Sequence, residues 1–426
     1  MWCEEVELAG VADAAGTPVY VYSGGAMKAA YRRLDRAFGE LPHAICYAVK
    51  ANSNLSLVGL LAKLGSSFDI VSGGELDRLR RIGVAGNRIV FSGVGKTREE
   101  MREALSYPPT DPNIRQSGIF LFNVESEAEL ELLLEEAERH VNSCGQRPAL
   151  GIRINPDVAA GGHKHISTGK HHHKFGVDWD TARRLYLQHK DSRWIIWRGI
   201  SAHLGSQILS AAPYRRALSQ LASHVRELSA SGIRLEIIDI GGGMGIRYQQ
   251  EKPLDLAVYA RTLSRFARAL DCKLLIEPGR WLVGPAGVLL TRVIYVKRNS
   301  GKTFVIVDAG MNDLIRPVLY EAEHPVTAAV RRSGGDAPSS KKIPVDVVGP
   351  ICESGDFLAL DYPLEMPKAG DLLVIWAAGA YGFVESSNYN ARRRAAEVLV
   401  EGNRFRVVRR RETYEDLVRQ EIEIPK

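Results

Sequence analysis

The chain has 426 residues, 45% hydrophobic and 25% charged, which suits two or three folded domains around large cores and excludes a fibrous, largely disordered or small stapled protein. Its 56 Lys and Arg against 50 Asp and Glu leave +6, too mild an excess for this length to point to a nucleic acid, although it favours anionic small molecules. No apolar run reaches about 18 residues, and the opening Met1-Trp-Cys-Glu-Glu-Val-Glu7 lacks the basic and apolar parts of an export signal, so no membrane partner and a cytoplasmic location are expected. The cysteines, Cys3, Cys46, Cys144, Cys272 and Cys352, are odd in number and widely spaced. That is the pattern of reduced thiols and not of a disulfide frame or zinc site.

In chain order, β-rich apolar runs fall at residues 44–50, 68–71, 88–92, 119–124, 149–154, 199–203, 235–240 and 273–277. Amphipathic stretches separate them. In residues 125–141, for example, Leu130, Leu133, Leu134 and Ala137 form one stripe among glutamates, and residues 214–228 repeat the period. Eight strands alternating with helices over about 250 residues predict a closed (β/α)8 TIM-type barrel better than an open sheet. After residue 280 the grammar changes to consecutive strands, at 288–296, 303–308, 342–348, 371–377 and 404–409, which predicts an all-β C-terminal domain, a sandwich or small barrel, over 281–426. The polar stretch 331–342, rich in Gly, Pro and Ser, reads as a surface loop.

A parallel barrel carries its chemistry at the C-terminal ends of its strands. Lys50 ends the first run, Asp69 lies in the second, His203 ends the sixth, Gly241-Gly-Gly243 follows the seventh and Glu277-Pro-Gly-Arg280 ends the eighth. An amine closing an apolar run is partly desolvated, which lowers its pKa from about 10.4 and frees it for attack on a carbonyl. A surface lysine snorkelling from the rim fits the same pattern. Glycines after a β-branched run let backbone N–H groups approach a phosphate, and the spacing does not fit a dinucleotide fingerprint. A rim carboxylate such as Glu277 can hold a heteroaromatic nitrogen protonated. Reactive lysine, phosphate cradle and carboxylate together are what pyridoxal 5'-phosphate requires.

The segments Tyr47-Ala-Val-Lys-Ala-Asn52, His203-Leu-Gly-Ser-Gln207, Gly241-Gly-Gly243, Glu277-Pro-Gly-Arg280 and Gly349-Pro-Ile-Cys-Glu-Ser-Gly-Asp356 resemble the fold-type-III pyridoxal-phosphate decarboxylases, and within them the branch acting on diaminopimelate. The resemblance runs in family order from Thr17 to Arg392. It implies that residues 1–22 join the β domain and that 23–280 form the cofactor-binding barrel. It implies that Lys50 holds the cofactor covalently, that His203 stacks on its ring and that Glu277 pairs with the ring nitrogen, with Asp69 also at the cofactor. Ser206, Gly241, Gly242, Gly243, Gly279, Arg280 and Tyr381 would surround the phosphate. Arg280, Arg316 and Tyr320 would bind the substrate's distal carboxylate, with Tyr381 nearby. Glu353 would read the distal ammonium and Cys352 would donate a proton. The last two would come from the second subunit of a homodimer.

The activity implied is decarboxylation of meso-2,6-diaminopimelate to L-lysine and CO2, the last step of lysine biosynthesis. A decarboxylase of ornithine, arginine or a D-amino acid, a non-catalytic binding protein and a racemase or cofactor carrier are the competing readings. Retention of Lys50 and of the Cys352-Glu353 segment speaks against the last two. Two stretches depart from the family pattern. Residues 107–115 form a longer loop, and His163-Lys-His-Ile-Ser-Thr-Gly-Lys-His-His-His-Lys-Phe-Gly176 is unusually rich in histidine. Adjacent loop histidines converge poorly on one ion, so the second is read as a solvated or gating loop and no metal is expected.

Overall fold

The computed structural model describes residues 1–108, 118–156, 158, 174–329 and 342–422. The histidine run 163–173, most of the long loop at 107–115 and the polar loop up to residue 341 therefore lie outside the described residues. Two compact units are present. One comprises residues 1–29, 247–251 and 282–426, the other residues 30–246 and 252–281.

The chain opens in the first unit with β1 (Trp2–Cys3), β2 (Val6–Glu7) and β3 (Val19–Ser23). The second unit then supplies β4 (His43–Ala48), β5 (Ser67–Ile70), β6 (Ile89–Phe91), β7 (Leu121–Val124), β8 (Ala149–Arg153), β9 (Ile196–Ser201), β10 (Ile237–Asp239) and β11 (Lys273–Ile276). These strands pair in parallel in chain order, and β11 closes on β4 through Leu274 opposite His43. The barrel interior is filled by Cys46, Val90, Leu121, Ala149, Ile237 and Leu275, each from a different strand, so it is a packed core and not a pore.

Short polar residues start the helices that follow the strands. Ser72, Thr97 and Ser126 accept hydrogen bonds from the backbone N–H of Glu75, Glu100 and Glu129, satisfying N–H groups that the first turn cannot. These caps fix where each strand stops and its loop turns, which sets the height of the rim residues.

The first unit resumes with β12 (Gly287–Asn299), β13 (Lys302–Val307), β14 (Val326–Ala328), β15 (Ile343–Val348), β16 (Phe357–Leu364), β17 (Leu372–Ile375), β18 (Ala396–Glu401) and β19 (Arg404–Arg409). Its main sheet runs β16-β15-β13-β12-β3-β18-β19, with β17 and β14 branching from β12. The N-terminal β3 is thus interior to the sheet, antiparallel to β12 and parallel to β18. Its Val19-Tyr-Val-Tyr22 is buried on both faces, and Tyr22 donates to the buried Glu397 carboxylate at 2.8 Å. Among the described residues no helix is long and apolar enough to cross a membrane.

Candidate active site

Lys50 sits two residues beyond β4 on a short 3-10 turn, Val49–Ala51. Its amine donates to Asp69 Oδ2 at 2.6 Å, with the lysine side chain about one-third exposed (34%) and the carboxylate fully buried. The apolar desolvation expected from the sequence is replaced by an ion pair: β4 and β5 are neighbours in register, Ala48 opposite Asp69, so the lysine after one strand meets the carboxylate in the next.

Beside this pair, the ends of β6, β7, β10 and β11 carry a buried polar network. Asn123 Nδ2 donates to Asp239 Oδ2 at 2.9 Å and to Ser92 Oγ at 3.2 Å, and Ser92 Oγ donates to Glu277 Oε1 at 3.4 Å. Asp239 also accepts from Gly241 N–H at 2.9 Å. Burial, then the negative charges of Asp239 and Asp69, hold Glu277 well above the ordinary carboxylate range. Asp239 is raised too, chiefly by burial, and the two side chains hydrogen-bond each other. A small polar cavity of about 10 Å³ is lined by these groups together with Arg153, Ser201 and His203.

His203 lies two residues past β9. Gly242 N–H donates to its Nδ1 at 3.1 Å, so that nitrogen carries no proton. Burial, followed by the cations Arg153 and Lys50, keeps its pKa well below that of a free imidazole. A neutral ring follows, and its 3.9 Å approach to Glu277 Oε2 is not an ion pair. Arg153 is fixed by Glu125 at 2.9 Å. Glu125 N–H in turn donates to Glu129, which is ion-paired at 2.7 Å with the buried Lys96.

Gly241 N–H donates to Asp239 Oδ1 at 2.9 Å and Gly242 N–H to His203 Nδ1 at 3.1 Å. Among the described residues Gly243 alone of the three keeps its N–H clear of a partner. Their shared role is close approach: a Cβ on Gly242 would lie 2.2 Å from Glu277 O, and one on Gly243 2.4 Å from Gly205 O. Three rim loops can nest only because these side chains are missing. Gly279 has the same task against Ala51, 2.8 Å from its would-be Cβ. Arg280 Nη2 donates to Ser206 Oγ at 2.9 Å, joining two predicted phosphate residues.

The other unit holds the remaining predicted residues. Arg316 is buried at the start of the helix Arg316–Tyr320, its guanidinium 5.6 Å from the ring centres of both Tyr248 and Tyr320. Its Nε donates to His324 Nε2 at 3.3 Å, and His324 Nδ1 faces Trp376 O at 2.8 Å, a geometry that fixes the proton on Nδ1. Tyr320 donates to Glu385 at 3.5 Å. Cys352 and Glu353 are exposed on a turn built by Asp356, whose carboxylate accepts from Ile351 N–H and Met311 N–H, each at 2.6 Å. A Cβ on Gly349 would lie 2.4 Å from that carboxylate, so glycine is what lets the turn close. Cys352 N–H donates to Asn390 Oδ1 at 2.9 Å, and Glu353 hydrogen-bonds Tyr389. Tyr381 is half-buried with φ of 54°.

Sequence reasoning missed Ser92, Asn123, Glu125, Arg153, Ser201, Asp239 and His324. All but His324 could have been found by the rule that found Asp69, since each is a polar residue at the C-terminal end of an apolar run. His324 had no comparable signal.

Residues 25–284 match the family model described as the pyridoxal binding domain of pyridoxal-dependent decarboxylases. The diaminopimelate decarboxylase of Pseudomonas fluorescens is 46% identical over 425 residues, covering 100% of this chain and 97% of that protein. The chain belongs to the diaminopimelate decarboxylase family. Solved structures of that family share its fold. The Helicobacter pylori enzyme complexed with L-lysine has a TM-score of 0.88 at 39% identity, covering 97% of this chain and 98% of that one. The M. jannaschii enzyme in co-complex with L-lysine gives 0.87 at 34% identity, covering 98% and 94%.

The rim residues of this decarboxylase fit a pyridoxal phosphate. Asp69 Oδ1, Asn123 Oδ1 and Ser201 Oγ are buried with no hydrogen-bond partner among the described residues. Such atoms each cost about 1–3 kcal/mol when left unsatisfied, and here they share the rim with an amine, a protonatable carboxyl and the glycine-nested loops.

Proposed function

We propose that the chain binds pyridoxal 5'-phosphate at the barrel rim and decarboxylates meso-2,6-diaminopimelate to L-lysine and CO2. The observation that carries this reading is the Lys50–Asp69 pair beside the Glu277, Asp239 and His203 cluster on one rim, in a chain 46% identical to a diaminopimelate decarboxylase over its full length. Bound there, the cofactor supplies an electron sink for the pair left behind by departing CO2.

The chain's own residues supply the rest. Lys50 holds the cofactor covalently, and Asp69 orients its amine from the buried side. Glu277 faces the ring nitrogen, and neutral His203 stacks on the ring without adding a competing charge. Ser206, Gly241, Gly242, Gly243, Gly279, Arg280 and Tyr381 would surround the phosphate. Arg280, Arg316 and Tyr320 hold the distal carboxylate. The planar fork of Arg316, locked by His324 and two tyrosine faces, suits a carboxylate better than a mobile ammonium would. Glu353 receives the distal ammonium. Cys352 delivers the proton that replaces the lost carboxylate.

Cys352 and Glu353 are exposed in the single chain, which supports their service to a second copy in a homodimer with shared sites. Free thiols at all five cysteines support a cytoplasmic location. The domain assignment that goes with this reading is a cofactor barrel over 23–280, a β domain over 281–426 bearing substrate and dimer residues, and an N-terminal segment joined to the latter. A substrate panel measuring CO2 release tests the activity. Turnover is expected with meso-diaminopimelate and not with ornithine, arginine or D-lysine, and an inert diaminopimelate beside an active alternative would overturn the assignment.

A further inference from the structure

The loops after β10 and β11 are stitched together by Ile240 N–H to Leu275 O at 3.2 Å and Glu277 N–H to Gly241 O at 2.8 Å. This pairing brings two carboxyl groups, Asp239 and Glu277, against each other in one small buried cavity. The charges that face them are already matched. Lys50 is paired with Asp69 at 2.6 Å and Arg153 with Glu125 at 2.9 Å. His203 accepts on Nδ1 from Gly242. Cys46 on β4 and Tyr259 on the helix Leu256–Leu270 also sense Asp239, and both are buried with their own protons held more tightly for it. Among the described residues facing it, a second buried anion at this spot finds no cation that is not already paired, and two close carboxylates cannot both ionise cheaply.

The hydrogen bonds say which one keeps the proton. Asp239 receives two N–H donors at 2.9 Å, Gly241 N–H and Asn123 Nδ2, and these stabilise its anion. Among the described residues Glu277 receives only the long Ser92 contact and the Asp239 side chain.

We propose that Asp239 and Glu277 hold one proton between them, carried on Glu277, and that this proton passes to the ring nitrogen of the cofactor when it binds. The Glu277 O–H bond breaks, an N–H bond forms, and the Glu277 anion left behind pairs with the ring cation. Asp239 stays ionised throughout. It is a positioning residue that keeps Glu277 loaded beforehand and disfavours return of the proton afterwards. This rests on the reading that Glu277 faces the ring nitrogen.

The test is infrared difference spectroscopy on the full chain, stripped of cofactor and then supplied with pyridoxal phosphate, with and without 13C-labelled glutamate. In the difference between the stripped and the loaded chain near pH 7, one protonated-carboxyl band besides that of Glu75 is expected, shifted by the label, absent in Glu277→Gln and lost when cofactor is added. In Asp239→Asn the midpoint at which that band titrates should fall by about one pH unit or more. A stripped wild-type chain without the band, a band that survives cofactor binding, or an unmoved midpoint in a folded Asp239→Asn would each overturn the proposal. Should Asp239→Asn not fold, the wild-type and Glu277→Gln spectra decide. If no cofactor binds at all, the proposed function fails, while the band and its midpoint still report on the shared proton.

Discussion

His324 offers the sharpest quantitative prediction, because it makes no contact with the reacting carbon and should nevertheless set substrate affinity. It is 1% exposed, accepts from Arg316 Nε at 3.3 Å and anchors on Trp376 O at 2.8 Å. Replacing it with alanine releases one side of the guanidinium that is to grip the distal carboxylate. A hydrogen bond to a charged group contributes about 1.5–3 kcal/mol. At 3.3 Å this one belongs at the weak end, so about 1.5 kcal/mol, or roughly ten-fold, is expected. Steady-state lysine formation from meso-diaminopimelate should therefore show KM raised about ten-fold in His324→Ala, with kcat within a few-fold of wild type. His324→Gln keeps an acceptor for Arg316 and a donor for Trp376, and should lose less. Inhibition by L-lysine, which keeps the distal carboxylate and has lost only the one at the reacting carbon, should weaken in parallel with KM in both. An unaltered KM, or inhibition by L-lysine that stays at the wild-type level, would refute the argument.

Other expectations follow from single contacts. Lys50→Ala should abolish covalent cofactor attachment, and a borohydride-trapped adduct mapped to another lysine would contradict its role. Cys352→Ala should keep the cofactor and lose most turnover, whereas near-normal turnover would assign the proton to another group. Mixing the inactive Lys50→Ala and Cys352→Ala chains should restore part of the activity if sites are shared. No recovery, with subunit exchange verified, would count against the homodimer. Burial pushes Glu75 up to about 7 from its ordinary 4.5, so the folded chain binds this proton where the unfolded chain has lost it. Its contribution to stability therefore falls as pH rises from about 4.5 to 7 and then levels off. Urea denaturation of Glu75→Gln relative to wild type should show a stability difference that grows over that window. A pH-independent difference would show that the carboxyl is not held protonated.

Much of this molecule could be read from its residues because a parallel barrel writes itself in a simple grammar. Eight apolar runs matched eight closed strands, and the rim rule led directly to Lys50, Asp69, His203 and Glu277. The ends of the runs were less legible. Lys50, His203 and Glu277 lie one or two residues beyond their strands, since strand length is set by pairing and capping and not by hydrophobicity alone. β16 carries Pro363 and exposed residues, so it does not look like a strand, and it survives only because it is an edge strand. The glycine cluster was only partly legible for a related reason. A sequence displays the absence of side chains, but whether that space admits a phosphate or a neighbouring loop depends on contacts between Gly242 and Glu277 that are far apart in the chain. The lock of His324 on Arg316 depends likewise on Trp376, 52 residues away.

The central claim is tested most directly by adding meso-diaminopimelate to the purified chain with bound pyridoxal phosphate, and measuring CO2 and L-lysine together while following the visible spectrum. Equal amounts of both products, with a cofactor band that changes on substrate addition and is lost in Lys50→Ala, are predicted. A preparation that shows no cofactor band after fresh pyridoxal phosphate, or that binds it yet releases neither product, would contradict the account.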